Sequence, residues 1–375
     1  MYHYIFEQYQ TSLQGRYIHN GHILPLLPEH AVIAGWSVED REIYTVKMGF
    51  GENRILIWSQ MHGNESTTTK AIMDLIQFLQ SDHELAKRIN RACSLLIIPI
   101  LNPDGALNYT RENADGVDLN RDFLQKSQPE SNLLWQLFED FEPHFCFNMH
   151  DQRTIYSVGD TWKPATVSFL APAYNEPRDW NPTRTRAAEL INIMNTVLQT
   201  YIPGQIGRYE DAYNANCAGD SFQEQGVPTL LFEAGHFQND YEREVTRKYI
   251  FIALLTALNH TNSTYTTSTI DNYLNIPQNE AYFFDFLYKN VSINCENIKI
   301  ITNFAAHYQE ELRDNEVVFE AHVVAQHLGS HIKGHVEINA DGVLFSSDFG
   351  CEPLVGAVAN FKLGNLKFRN GQVVK

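Results

Sequence analysis

A chain of 375 residues, 43% of them hydrophobic, can bury a core of full size, which excludes a linker or a solvated tail. Its 28 basic and 45 acidic residues leave a formal charge of −17, which disfavours phosphate backbones and anionic membranes over most of the surface, so no nucleic acid partner is expected. The opening Met1-Tyr-His-Tyr-Ile-Phe-Glu-Gln lacks a basic segment followed by an apolar one, and no eighteen apolar residues run together, so no secretion signal and no membrane span are expected. Cysteines stand singly at 93, 146, 217, 295 and 351 without CxxC spacing. That pattern speaks against a disulfide framework and against a cysteine zinc site, and a reducing cytoplasm is the expected location.

In chain order, strand-like apolar runs alternate with helical patterns: Arg54 to Met61, a helix over Thr67 to Leu79, Ser94 to Leu101, a helix over Ser131 to Phe141, and Phe145 to Met149. A helix over Arg184 to Tyr201, the run Val227 to Phe232 and a helix over Tyr241 to Leu258 follow. In the last helix Ile250, Leu254, Leu255 and Leu258 share one face, with Arg243, Arg247 and Lys248 elsewhere on the wheel. This is an α/β pattern, and ligands of parallel sheets collect beyond the carboxyl ends of the strands. The polar stretch Thr261 to Thr269 marks a boundary, with one domain over 1–262 and a small β-rich domain over 270–375. Within the latter, a helical region near Glu280 to Tyr288 precedes β-like alternation at Val317 to Val324, His335 to Ile338, Val343 to Ser346 and Phe361 to Val374. His322, His327, His331 and His335 have helical spacing in part, but Gly329 and Gly334 interrupt them, and they are read as ordinary histidines.

The strand ends carry the chemistry. His62 and Glu65 follow the first apolar run and His150 ends the third; two histidines and a glutamate are one known ligand set for a catalytic zinc that keeps an open position. Glu233 closes the run Val227-Pro-Thr-Leu-Leu-Phe232, where a buried acid needs either a cation partner or a task; a general base beside a metal is the preferred reading. No G-x-S-x-G elbow, phosphate loop or G-x-G-x-x-G turn occurs.

The ordered series His62-Gly-Asn-Glu65, Asn102-Pro-Asp-Gly105, Arg111, Gly116-Val-Asp-Leu-Asn-Arg121, His150, Tyr213 and Glu233 resembles the motifs of the M14 zinc carboxypeptidases. Gly35-Trp-Ser37 and Arg41-Glu-Ile-Tyr44 are similar to that family's entry strands, so the resemblance covers about residues 35–258. It implies an α/β fold with a mixed, largely parallel sheet flanked by helices, and one Zn²⁺ on His62, Glu65 and His150. It further implies that Glu233 moves the proton, Arg111 stabilises the oxyanion, and Asn120 and Arg121 grip a terminal carboxylate. Asp118 would orient His62, and Tyr213 (failing that, Tyr209) would close over the substrate. Asp220 falls near the family's specificity position, selecting a basic terminal side chain unless it matches a neighbouring structural aspartate. This chain departs from the family in its short stretch from Arg111 to Asn120 and in having Asp151 and Gln152 where the family has serine and tyrosine.

The implied reaction is hydrolysis of an amide bond next to a free carboxylate, in a peptide or a peptidoglycan fragment with a γ-linked acidic residue. An N-acyl amino acid deacylase, like aspartoacylase or succinylglutamate desuccinylase, shares H-G-N-E, D-L-N-R and a β-rich C-terminal domain; Asn102 to Gly105 and Tyr213 favour the peptidase. A binding protein that keeps the pocket without the chemistry is disfavoured, because every expected catalytic group is present.

Overall fold

The computed structural model describes residues 2–264, 266–296 and 298–374, and it divides into two compact units, Met1–Arg153 with Ala165–Asn279, and Thr154–Pro164 with Glu280–Lys375. The division therefore falls at Asn279 rather than within 262–270. The reason is a short helix, Thr269–Leu274, that packs into the first unit: Tyr273 is fully buried and its hydroxyl accepts a hydrogen bond from Ala171 N at 3.0 Å. Tyr265, in the polar stretch, lies outside the described residues.

The first unit is built on eight strands: β1 Val32–Trp36, β2 Glu42–Gly49, β3 Asn53–Ser59, β4 Cys93–Ile98, β5 Phe145–Asp151, β6 Val167–Leu170, β7 Ile206–Arg208 and β8 Thr229–Ala234. Their order across the sheet is β1-β2-β4-β3-β5-β8-β6-β7, with β4, β3, β5 and β8 mutually parallel at the centre. Ile55, Leu56, Ile57 and Trp58 of β3 are fully buried, as a strand covered on both faces requires. The chain runs from β3 outward to β4, then crosses to β5 on the other side of β3. Such a reversal of strand order opens a crevice at the carboxyl ends, here between β3 and β5.

The helix Thr67–Leu79 was legible to the residue, but its neighbour Glu244–Asn259 is buried on nearly every side. Arg247 is not on a solvated face: its guanidinium forms a fully buried fork to Asp74, with Nε–Oδ2 at 2.7 Å and Nη2–Oδ1 at 2.6 Å, and its Nη2 also donates to Thr11 Oγ1 at 2.8 Å. Breaking such a pair strands a charge in the core, so Asp74→Ala is expected to destabilise the first unit by about 3–5 kcal/mol in chemical denaturation. A loss below about 1 kcal/mol would mean that Glu244, the other carboxylate on Arg247, suffices alone.

In the second unit, β9 Phe283–Cys295, β10 Ile298–Arg313, β11 Glu316–Gln326 and β12 Lys333–Asn339 form a sheet of order β11-β10-β9-β12. A smaller antiparallel sheet holds β13 Phe345–Ser346, β14 Phe361–Leu363, β15 Leu366–Arg369 and β16 Gln372–Val373. The helix expected near Glu280 to Tyr288 is replaced by β9. Phe283, Phe284, Phe286 and Tyr288 are residues that fit a pleated surface, and a short apolar run does not betray its own periodicity. Phe286, Tyr288, Phe304, Phe345, Phe361 and Phe368 make the core of this unit.

Cys295 and Cys351 form a disulfide, with Cα atoms 5.6 Å apart, whereas Cys93, Cys146 and Cys217 are free thiols. The expectation of unpaired cysteines is thus corrected: separated by 56 residues, the partners meet only because β9 ends beside the segment after β13. Among the described residues no helix is long and apolar enough to cross a membrane. The histidines of the tail have local partners: His322 contacts Glu320, His327 lies beside Thr302, and His335 bonds Thr154 O.

Candidate metal centre

Three segments at one end of the central strands bring the expected ligands together. A tight turn after β3 carries His62 and Glu65 into the Thr67–Leu79 helix, and Glu65 N donates to His62 O at 3.1 Å. Gly63 is required in that turn, since a Cβ there would lie 1.9 Å from the carbonyl carbon of Gly105. The Asn102-Pro-Asp-Gly105 motif therefore has a steric function. Asn102 Oδ1 caps its own short helix by accepting from Gly105 N, and its Nδ2 donates to Met61 O, tying the two loops together. Asp104 fastens the entry strands by accepting from Ser37 Oγ at 2.7 Å and Arg41 Nη1 at 2.6 Å.

His62 Nδ1 lies 2.8 Å from Glu65 Oε1, His150 Nδ1 lies 2.8 Å from Glu65 Oε2, and the two Nδ1 atoms are 3.1 Å apart. All three residues are buried. Burial lowers His150, whereas for His62 the charge of Glu65 and the hydrogen bond to Asp118 outweigh burial and raise it. Burial would raise Glu65, yet His62 and His150 hold it well below the usual carboxylate range. The cluster thus draws positive charge to its centre. Two imidazole nitrogens face each other at a separation close to the roughly 3.3 Å that two ligands make in a tetrahedral zinc site. The donor set and its spacing fit one zinc ion.

Asp118 supports this set. Its Oδ1 lies 3.0 Å from His62 Nε2 and accepts from Asn120 N at 2.9 Å, while Oδ2 accepts from Arg111 Nε at 3.1 Å. Burial opposes its charge, but the His62 hydrogen bond and nearby cations hold its pKa well below normal. With Nε2 engaged, His62 presents Nδ1 to the centre. Arg111 also reaches Glu65 Oε1 at 3.2 Å and keeps its side chain 41% exposed, so one face of the guanidinium is open to a ligand.

Glu233 is paired in register with His150 across β5 and β8. It is buried, and its Oε2 has no hydrogen-bond partner among the described residues. Burial, together with the charges of Glu65 and Asp151, raises its pKa well above the usual value.

Asn120 accepts from Ala218 N at 3.0 Å, and Arg121 Nη1 donates to Asn120 O at 2.7 Å and to Cys217 Sγ at 3.1 Å. Tyr213 is not gathered into this group, for its hydroxyl donates to Glu224 Oε2 at 3.0 Å. Asp220 is buried in the first turn of the Ala218–Glu224 helix and accepts from Asn214 N at 3.3 Å. Burial pushes its pKa up to about 7, from 3.8. A carboxyl raised in the native state binds its proton more tightly there than when unfolded, so its contribution to stability falls as pH climbs from about 4 to 7. Asp220→Asn is expected to flatten this dependence and gain on the native enzyme between pH 5 and 8. Urea denaturation at both pH values checks it, and parallel slopes for the two proteins would contradict it.

Two supporting residues escaped the sequence reading. Asp151 caps the Thr67–Leu79 helix, accepting from Thr67 N at 3.0 Å and Thr68 N at 3.3 Å, a task for which a carboxylate suits a helix N-terminus. Arg243, read as lying off the apolar face of the last helix, is buried and donates to Ala234 O and, at 2.7 Å, to Gln152 O. It holds the ends of the two strands that bear His150 and Glu233. No local pattern announces either role, because both depend on partners distant in sequence.

Residues 29–195 match the zinc carboxypeptidases of peptidase family M14. That match marks a zinc carboxypeptidase domain within this chain. It is 29% identical over 100 residues to carboxypeptidase 2 of Trichophyton rubrum, an alignment covering 26% of this chain and 19% of that protein. Carboxypeptidase E of Caenorhabditis elegans is 29% identical over 176 residues, with 38% of this chain and 35% of that protein covered. The chain thus spans well under two thirds of the curated relatives it matches. Its fold is similar to that of a metallo-carboxypeptidase from Burkholderia cenocepacia, with a TM-score of 0.52 at 17% identity over 66% of this chain and 68% of the other.

Proposed function

We propose that this chain is a zinc-dependent carboxypeptidase that hydrolyses the amide bond next to a free carboxylate in a peptide. The observation that carries the reading is the register of β5 and β8, in which the buried, unpartnered carboxylate of Glu233 stands beside His150 and hence beside the ligand cluster. His62, Glu65 and His150 would hold the ion. When bound, zinc supplies a Lewis acid and brings the pKa of water to about 7.

The remaining steps fall to the protein. Glu233 Oε2 takes a proton from the attacking water and returns it to the leaving amine, a task suited to its raised pKa. Arg111, held by Asp118 and Glu65, offers fixed positive charge to the carbonyl oxygen as it becomes negative. Asn120 and Arg121 receive the terminal carboxylate; the thiol and backbone oxygen now facing Arg121 are weaker partners than a carboxylate, which displaces them. Tyr213 acts only after leaving Glu224. Asp220, where ionised, favours a basic terminal side chain.

Peptides ending in Arg, Lys, Phe or Leu, their C-terminal amides, a γ-glutamyl-linked muramyl peptide and N-acetyl-aspartate make a sufficient assay panel. Release of one terminal residue from the free acids but not the amides is the expected outcome. Turnover of N-acetyl-aspartate alone would replace this reading with the deacylase, and equal rates for basic and apolar termini would remove Asp220 as a selector.

A further inference from the structure

The β-rich unit contains a cavity of about 310 Å³ lined by Ser346, Ser347, Asp348, Asn360, Lys362 and Lys367 together with Phe361 and Phe368. Ser346, Lys362 and Lys367 stand in register across β13, β14 and β15, so the two lysines are direct cross-strand neighbours. All three are exposed, while Phe345, Leu363 and Phe368 are buried in the core. Like charges placed opposite one another weaken a sheet. Neither lysine has an acidic ion-pair partner among the described residues, in a chain with 45 carboxylate side chains to draw upon. Asp348 is the one carboxylate in the lining, which leaves two ammonium groups against one negative charge.

The wall is also anchored. Ser346 belongs to β13, and Ser347 and Gly350 form a bridge just before Cys351, which the disulfide ties to the end of β9. The Ser346 hydroxyl and two ammonium groups around one concavity match an oxygen-rich anion, the Ser347 hydroxyl being directed to Gly350 O, and lysine serves phosphate as a point charge with several donors.

We propose that this cavity binds the phosphate group of a small anionic ligand. Titration calorimetry of the full chain with inorganic phosphate and, separately, with glycerol phosphate, at ionic strength held constant with chloride, tests it. Saturable one-to-one binding is expected, weakened about tenfold or more in K362Q/K367Q, as loss of charge-assisted bonds requires. Tighter binding of glycerol phosphate than of the free ion identifies an ester as the ligand's form, and the reverse identifies free phosphate. K362E converts the repulsive pair into an attractive one, so it folds at least as stably as the native protein and loses phosphate. Absence of saturable heat with both probes, or native affinity in K362E or the double variant, overturns the proposal.

Discussion

Glu233→Gln is expected to lower kcat by about 10²–10⁴-fold while leaving metal content and fold intact, because it removes only the proton-accepting oxygen. The substitution is nearly isosteric, and Glu233 Oε2 has no hydrogen-bond partner among the described residues to lose. It also relieves repulsion from Glu65 and Asp151, so thermal stability should hold or rise. Steady-state kinetics on a C-terminal Phe or Arg peptide, metal analysis and circular dichroism together isolate the chemical step. Activity within threefold of native, with metal retained, would exclude Glu233 as the base and move attention to Asp151, a second carboxylate whose charge acts on it.

A second large effect is expected from Glu65→Ala. Glu65 is the one anionic residue of the proposed ligand set, and both of its oxygens face the imidazoles of His62 and His150. Without it, two neutral or mutually repelling rings and the charge of Arg111 surround the centre, and bound zinc should fall from about one per chain to near zero after dialysis, with hydrolysis lost in parallel. Asp118→Asn should act more gently, weakening metal affinity by about 10–100-fold, since it alters the orientation of His62 rather than removing a ligand. Full zinc occupancy in folded Glu65→Ala would show that the three residues do not form the metal centre, whatever their proximity.

The central strands and the residues at their ends were legible because parallel strands buried on both faces are continuous apolar runs, and their carboxyl ends are where polar residues resume. The runs before His62 and before Glu233 follow this rule within two or three residues. Legibility failed where a residue's partner lies far along the chain. The wheel set Arg247 and Arg243 off the apolar stripe because it cannot see Asp74 or the strand ends that Arg243 holds. Cys295 and Cys351 carry no spacing signal for the same reason. At β9 the failure was local: an aromatic run too short to show a period was taken for a helix.

Residue types and order alone nominated the candidate ligand set, the proposed proton carrier and the resemblance to the zinc carboxypeptidases, since those depend on chemistry concentrated in short motifs. The tertiary structure decided which atoms meet: Nδ1 rather than Nε2 of both histidines faces Glu65, Glu233 stands beside His150, and Tyr213 rests on Glu224. These are consequences of strand register and loop packing, which fix separations of a few ångströms between groups scores of residues apart. No one-dimensional pattern contains such distances.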